Sequence, residues 1–162
     1  LADLLRALAG EHYFNKDYEQ ALTIWKQTLA LKPTDWQVEN NIAFVLAQHL
    51  GRPADALPYA ESASKHAPNE PEVLDTLGTV YMTLGRPEDA VPLFAQAVSQ
   101  TRGNPEDAKY MLRHAQALLA SKNPAAARVV VAEVQGLLDR GRQLDEENQT
   151  ILQDLVAQLG DG

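Results

Sequence analysis

One phrase in this chain returns at a fixed distance. Gly51-Arg52-Pro53-Ala54-Asp55-Ala56 reappears as Gly85-Arg86-Pro87-Glu88-Asp89-Ala90, 34 residues later. The small residue that closes the phrase extends the series in both directions: Ala21, Ala56, Ala90 and Ala127 are 35, 34 and 37 residues apart. Four residues beyond each stand Trp25, Ala60, Phe94 and Val131, and Pro33 and Pro68 end two of the units. A period of this size restricts the chain to architectures that stack one supersecondary unit, because a single unit cannot bury its apolar face alone.

Within each unit the pattern is helical. Leu74, Leu77, Gly78 and Tyr81 share one face at i, i+3, i+4 and i+7. Gly85 then breaks the helix, Pro87 takes a first-turn position, and Ala90, Val91, Phe94 and Ala97 form a second apolar face. Thr34-Asp35-Trp36-Gln37 reads as a capping box. Gly103-Asn104-Pro105 reads as a stop, an N-cap and a proline at the first helical position, and Asn123-Pro124 repeats that start. No segment sustains the two-residue alternation of a strand. The punctuation predicts helices at about 2–14, 17–31, 36–49, 53–66, 70–84, 87–100, 105–121, 124–139 and 145–159. That is four helical hairpins and one extra helix.

Composition removes several functions. The chain has no Cys, so it holds no disulfide, thiolate metal site or cysteine nucleophile. Its net charge of −8 disfavours sequence-independent nucleic-acid binding, which needs a basic face. Its apolar runs are short and interrupted by charge, so membrane insertion is not expected. The absence of Cys suits cytoplasm and periplasm alike. The chain begins at Leu1, and Leu1, Leu4, Leu5 and Leu8 follow without a cap. We therefore expect further repeats or another domain before Leu1 in a larger, bacterial-looking parent, and an N-terminal edge open to self-association.

These residues resemble the tetratricopeptide repeat, with its W-x2-L-G-x2-Y, A-x3-F and P pattern over about 34 residues. The third unit fits best, through Leu74, Leu77, Gly78, Tyr81, Ala90, Phe94 and Ala97. The first carries Leu5, Leu8, Ala9, Ala21, Trp25 and Pro33, with His12 at the usual aromatic position. The second carries Ile42, Ala43, Leu46, Ala56, Ala60, Ala63 and Pro68, with one extra residue near Leu50-Gly51; the fourth, loosest, carries Ala115, Leu118, Ala127 and Val131. The resemblance implies an all-α, right-handed superhelix of antiparallel hairpins. We expect one domain over 1–162, with repeats at about 2–34, 35–69, 70–103 and 104–140 and a capping helix at about 144–159. Small residues at Ala9, Ala43, Gly78 and Ala115 would let the two helices of a hairpin approach, and Ala21, Ala56, Ala90 and Ala127 would do so against the next unit. The capping helix would present Leu144, Ile151, Leu152, Leu155, Val156 and Leu159 on one stripe.

The resemblance also implies a function: a non-catalytic scaffold that holds a peptide or helix of a protein partner in a concave groove lined by the first helix of each hairpin. Carried over by register, the groove residues are Arg6, Tyr13, Asn40, Asn41, Phe44, Gln48, Asp75, Thr79, Met82, Lys109, Arg113 and Gln116. Asp3, Gly10, Phe14, Gln37, Glu72, Thr76 and Leu112 fall in the same register. Lys109 and Arg113 match the cationic pair of the family's carboxylate clamp, but Asn40, Phe44 and Thr76 depart from its other members. Only Asn41 matches the Asn ladder of other relatives. A mixed groove remains, with aromatic Tyr13 and Phe44, amides at Asn40 and Asn41, and a basic Lys109/Arg113 end. The alternatives are a structural or assembly spacer, and a regulatory module of an enzyme domain elsewhere in the parent.

No chemistry competes with binding. His12, His49, His66 and His114 stand singly and match no metal motif, and no nucleophile elbow or phosphate loop is present. Carboxylate pairs Glu88/Asp89 and Glu106/Asp107 sit at helix starts, where the macrodipole favours them. No enzyme activity, metal or cofactor is expected. Trp25, Phe94 and Tyr81 read as core, and Trp36 as packing across the first and second units or as partly exposed. Lys65, Lys122, Arg128, Arg140 and Arg142 read as outer-face or helix-end cations.

Overall fold

A computed structural model describes residues 1–160; the last two residues of the expected domain, 161–162, lie outside it. The described residues form nine α-helices and no strand: α1 (Ala2–Phe14), α2 (Tyr18–Leu31), α3 (Trp36–Gln48), α4 (Pro53–His66), α5 (Pro71–Thr83), α6 (Pro87–Thr101), α7 (Asp107–Ala120), α8 (Pro124–Asp139) and α9 (Glu146–Gly160). Each helix packs against the next in sequence, and α3 also packs on α5, and α7 on α9. The result is the expected all-α stack of hairpins.

The repeated small residues mark where helices meet. Ala9, Ala43 and Ala115 in the first helices, and Ala21, Ala56, Ala90 and Ala127 in the second, are all 0% exposed. Gly78 takes the same place in α5, and there the approach is closest: a Cβ would sit 2.7 Å from Cζ of Phe94 on α6. Trp25, Ala60, Phe94 and Val131 are buried, each one turn beyond the small residue of its helix.

The turns inside the hairpins repeat as well. Lys16, Gly51, Gly85 and Lys122 all adopt left-handed φ, at 62°, 62°, 71° and 61°. Around three of them the backbone closes as a Schellman motif: Asp17 N–H reaches His12 O at 2.9 Å, Arg86 N–H reaches Tyr81 O at 2.9 Å, and Asn123 N–H reaches Leu118 O at 2.8 Å. In the second hairpin Arg52 N–H reaches one residue further back, to Leu46 O at 2.7 Å. The extra residue near Leu50-Gly51 is thus absorbed in a wider turn.

Two expected caps are corrected. The cap of α3 is Asp35, whose carboxylate accepts from Val38 N–H at 3.3 Å; Thr34 lies in the preceding turn, and Gln37 accepts from Arg6 instead. Asn104-Pro105 does not start α7, which begins at Asp107. The Asp107 carboxylate accepts from Gly103 N–H at 3.1 Å, and Arg142 Nη1 donates to Asn104 O at 2.6 Å, so this connection is held as a separate turn. Asn123 does cap α8, accepting from Ala126 N–H at 3.2 Å.

Other packing assignments change. Trp36 lies against Ala63, Ala67 and Val73, so it joins the second and third units rather than the first and second. Tyr81 is only half-buried, its hydroxyl donating to Glu61 at 3.4 Å and its ring lying under the Arg86 guanidinium at 4.5 Å. Arg128 and Arg142 are structural ties: Arg128 Nη2 donates to Leu159 O at 2.8 Å, and Arg142 pairs with Asp107 at 3.5 Å. On α9, Leu155 and Leu159 are buried while Val156 is 41% exposed, so the apolar stripe is narrower than expected.

Two substitutions test this account with opposite signs. Gly78→Ala drives a methyl into the Phe94 ring and is expected to destabilise by about 1–3 kcal/mol. Lys122→Gly relieves a left-handed lysine and is expected to stabilise by up to about 1 kcal/mol, the strain relief exceeding the added unfolded-chain entropy. Urea denaturation midpoints at constant m-value check both.

Candidate functional site

The first helices α1, α3, α5 and α7 present one face each to a shared surface. On α3 the buried positions form a broad arc, and Gln37, Asn41, Phe44 and Gln48 remain on the other side at i, i+4, i+7 and i+11. On α7 the corresponding stripe is Lys109, Arg113, Gln116 and Ala120. On α5 it comprises Glu72, Asp75, Thr79 and Met82. Arg6, Gly10 and Tyr13 supply α1, and a Cβ at Gly10 would meet nothing within 4 Å.

The N-terminal halves of these helices make a polar row. Arg6 donates to Gln37 Oε1 at 3.0 Å and lies 3.6 Å from the Asp35 carboxylate. Asp3 accepts from Lys32 at 2.8 Å, and this hydrogen bond and charge hold its carboxyl below the usual range. Further along, Asp75 stands 3.8 Å from both Lys109 and Arg113, and Arg113 also reaches Glu147 of α9 at 3.4 Å. The basic pair of the expected groove therefore already faces opposite charge within the chain. Burial pushes the Asp75 carboxyl up, and Arg113 and then Lys109 pull it only partly back. Desolvation wins because its Oδ1 makes no hydrogen bond in the structure. Beside it Tyr110 is buried, and loss of solvation, with Asp75 next, pushes its phenol up to about 12.

The C-terminal halves make an aromatic zone. Tyr13 packs on Trp25 at 6.1 Å and Tyr18 at 5.8 Å, and His49 lies between Tyr13 and Phe44 at 5.9 and 5.5 Å. His49 also stacks flat on Tyr18 at 4.1 Å. The structure thus brings Tyr13 and Phe44 together through His49, which sequence register did not select because it lies just past the last turn of α3.

Several expected groove positions are less available than register implied. Leu112 and Thr76 are buried, and Met82 packs against the Ala90/Phe94 cluster. Asn40 is 9% exposed and its Oδ1 has no hydrogen-bond partner. By contrast, the side chains of Asn41, Gln48 and Gln116 make no hydrogen bond among the described residues, and each is at least partly exposed. The groove ends at the α8–α9 connection, where Lys109, Arg113, Leu144 and Glu147 line a cavity of about 340 Å³. The docking of α9 sets Glu147 against Arg113.

Glu39 is one of the buried charged groups among the described residues. Ser62 and His66 both bind the buried Glu39 carboxylate, at 2.5 and 2.9 Å, rather than each other. No group of three or more His, Asp or Glu able to hold a metal occurs among them, and none of their helices is long and apolar enough to cross a membrane.

Residues 47–110 match the sequence model of the tetratricopeptide repeat. Among solved structures, residues 41-end of MamA from Desulfovibrio magneticus RS-1 superpose with a TM-score of 0.79 at 20% identity, over 88% of this chain and 78% of that one. A thermophilic tetratricopeptide-repeat protein of Thermus thermophilus gives 0.77 at 19% identity, over 99% and 84%. PilF of Pseudomonas aeruginosa gives 0.79 at 20% identity, over 99% and 69%. No curated protein sequence matches the chain.

The Asp75 site carries a signed expectation. A carboxyl raised by folding contributes stability below its ordinary value of 3.8 and loses it as pH rises through the folded value. Arg113→Ala removes the larger opposing charge and should raise the Asp75 pKa further, read by carboxyl NMR titration. Asp75→Asn should flatten this part of the stability–pH curve.

Proposed function

This chain belongs to the tetratricopeptide repeat family, a fold that serves as a scaffold for protein–protein contact and whose members are generally non-catalytic, and on that premise we propose that residues 1–162 act as one repeat domain that holds a peptide of a protein partner in the groove of α1, α3, α5 and α7. The observation that carries this reading is the set of unpaired amides at Asn41, Gln48 and Gln116, spaced on faces that also hold Phe44 and Arg113. An amide offers a donor and an acceptor together, which matches a peptide backbone. Phe44, with Tyr13 and His49, supplies an apolar anchor at the opposite end from the charged row.

The charged row sets the ligand's character. Because Asp75 and Glu147 already face Lys109 and Arg113, a free C-terminal carboxylate gains little there, and the reading favours a neutral or mixed-charge segment over an acidic terminus. The test is a paired capture from an extract of the source organism with the wild-type chain and an Asn41→Ala, Phe44→Ala, Arg113→Glu variant of unchanged circular dichroism. A partner lost only from the variant supports groove binding; equal capture by both refutes it and moves function to another face, as in an assembly spacer. In addition, Asp75→Asn is expected to raise affinity for acidic C-terminal peptides about tenfold, measured by fluorescence anisotropy, since it frees the cationic pair.

A further inference from the structure

On the far side of the third and fourth hairpins, α6 and α8 do not close on each other. Between them lies a cleft of about 760 Å³ floored by Asp107 and Met111 of α7. A cavity of about 380 Å³ continues it past His114 and shares Val98 and Met111. Asp107, Met111 and His114 recur at i, i+4 and i+7, as do Lys109, Arg113 and Gln116, but the two sets are offset by two residues, about 200° around the helix. The cleft is therefore a different surface from the groove.

Its walls are apolar. Val98 lies on one side and Val129, Ala132 and Leu137 on the other, with Val129 60% exposed. From Val129 to Arg140 the α8 wall runs about 16 Å, or three helical turns. Gly136 lies within that wall. Glycine inside a helix is unfavourable relative to alanine, and Gly78 has a packing reason in Phe94. Gly136 has none: a Cβ there would meet only the flexible end of the Arg140 side chain, at 3.5 Å. Its missing side chain leaves the Arg140 guanidinium room against the α8 wall and keeps that wall low.

The charge is concentrated at one end. Arg102 and Arg140 follow the last turns of α6 and α8, beside Arg142. Arg142 is engaged by Asp107 and Asn104, whereas Arg102 and Arg140 make no ion pair among the described residues. Glu133 lies midway along the cleft. In a chain of net charge −8, this is an apolar slot with a positive end.

We propose that the α6–α8 cleft is a second docking surface that takes the apolar face of a short partner helix, with the acidic first turn of that helix against Arg102 and Arg140. An open slot of three turns between two helices matches a helix laid in a groove. Acidic residues favour the start of a helix, which places the partner's carboxylates at the arginine end.

The test uses the full chain and two labelled helical peptides of about four turns, with leucines at i, i+4, i+7 and i+11. One has Glu in its first turn and the other Lys. Fluorescence anisotropy is expected to show at least tenfold tighter binding of the acidic peptide. Gly136→Leu, which fills the slot, and Val129→Glu, which charges its exposed wall, should each weaken it about tenfold with circular dichroism unchanged. Arg102→Glu with Arg140→Glu should reverse the peptide preference. The groove variant Asn41→Ala, Phe44→Ala, Arg113→Glu should bind the acidic peptide as the wild type does, which separates this site from the groove. Equal binding of the two peptides, no binding of either, or indifference to both Gly136→Leu and Val129→Glu would overturn the proposal. So would saturable binding of dodecanoate with no peptide binding, which would make the cleft a small-amphiphile site.

Discussion

The fold depends on how closely successive helices can approach. Seven alanines and one glycine occupy equivalent places in the four hairpins, and the alanines expose no surface. A larger residue at any of them would force neighbouring helices apart, and interiors packed at crystal density have no slack to absorb the added volume. Trp25, Phe94 and Val131 fill the space this leaves one turn further on. Every unit repeats that small-then-large pairing except the second, where Ala60 stands at the large position.

That constraint also divides the surface into faces. When the small residues fix which sides of the helices touch, the remaining sides of α1, α3, α5 and α7 form one surface, and those of α6 and α8 another. Polar side chains left on the first surface divide into those that face an opposite charge or a hydrogen-bond partner within the chain and those that face none. Arg6, Lys109 and Arg113 belong to the first group, through Gln37, Asp35, Asp75 and Glu147. Asn41, Gln48 and Gln116 belong to the second. The proposed binding role rests chiefly on the second group, because a ligand that met the first would have to compete with partners already in place.

The capping helix shows how packing changes the meaning of a residue. The leucines of α9 close the apolar end of α7 and α8, and Arg128 secures its last turn through Leu159 O. The same docking carries Glu147 to Arg113 and ends the groove at the α8–α9 connection. A helix whose sequence reads as a cover is therefore also one wall of the candidate site.

The sequence carries the helices, their pairing and the small-residue contacts, since these follow from a 3.6-residue period and from glycine and proline punctuation, which are local. It also marked the groove stripe on α3 and α7, because a helix face is fixed by spacing alone. Stacking of the helices sets which charges pair with one another, packs Trp36 forward rather than back, and joins Tyr13 to Phe44 through His49. It alone opened the α6–α8 cleft. Each of these depends on distances between residues about 27 to 36 apart in sequence, or more, and on whether a side chain finds a partner across the stack, and no local pattern encodes either.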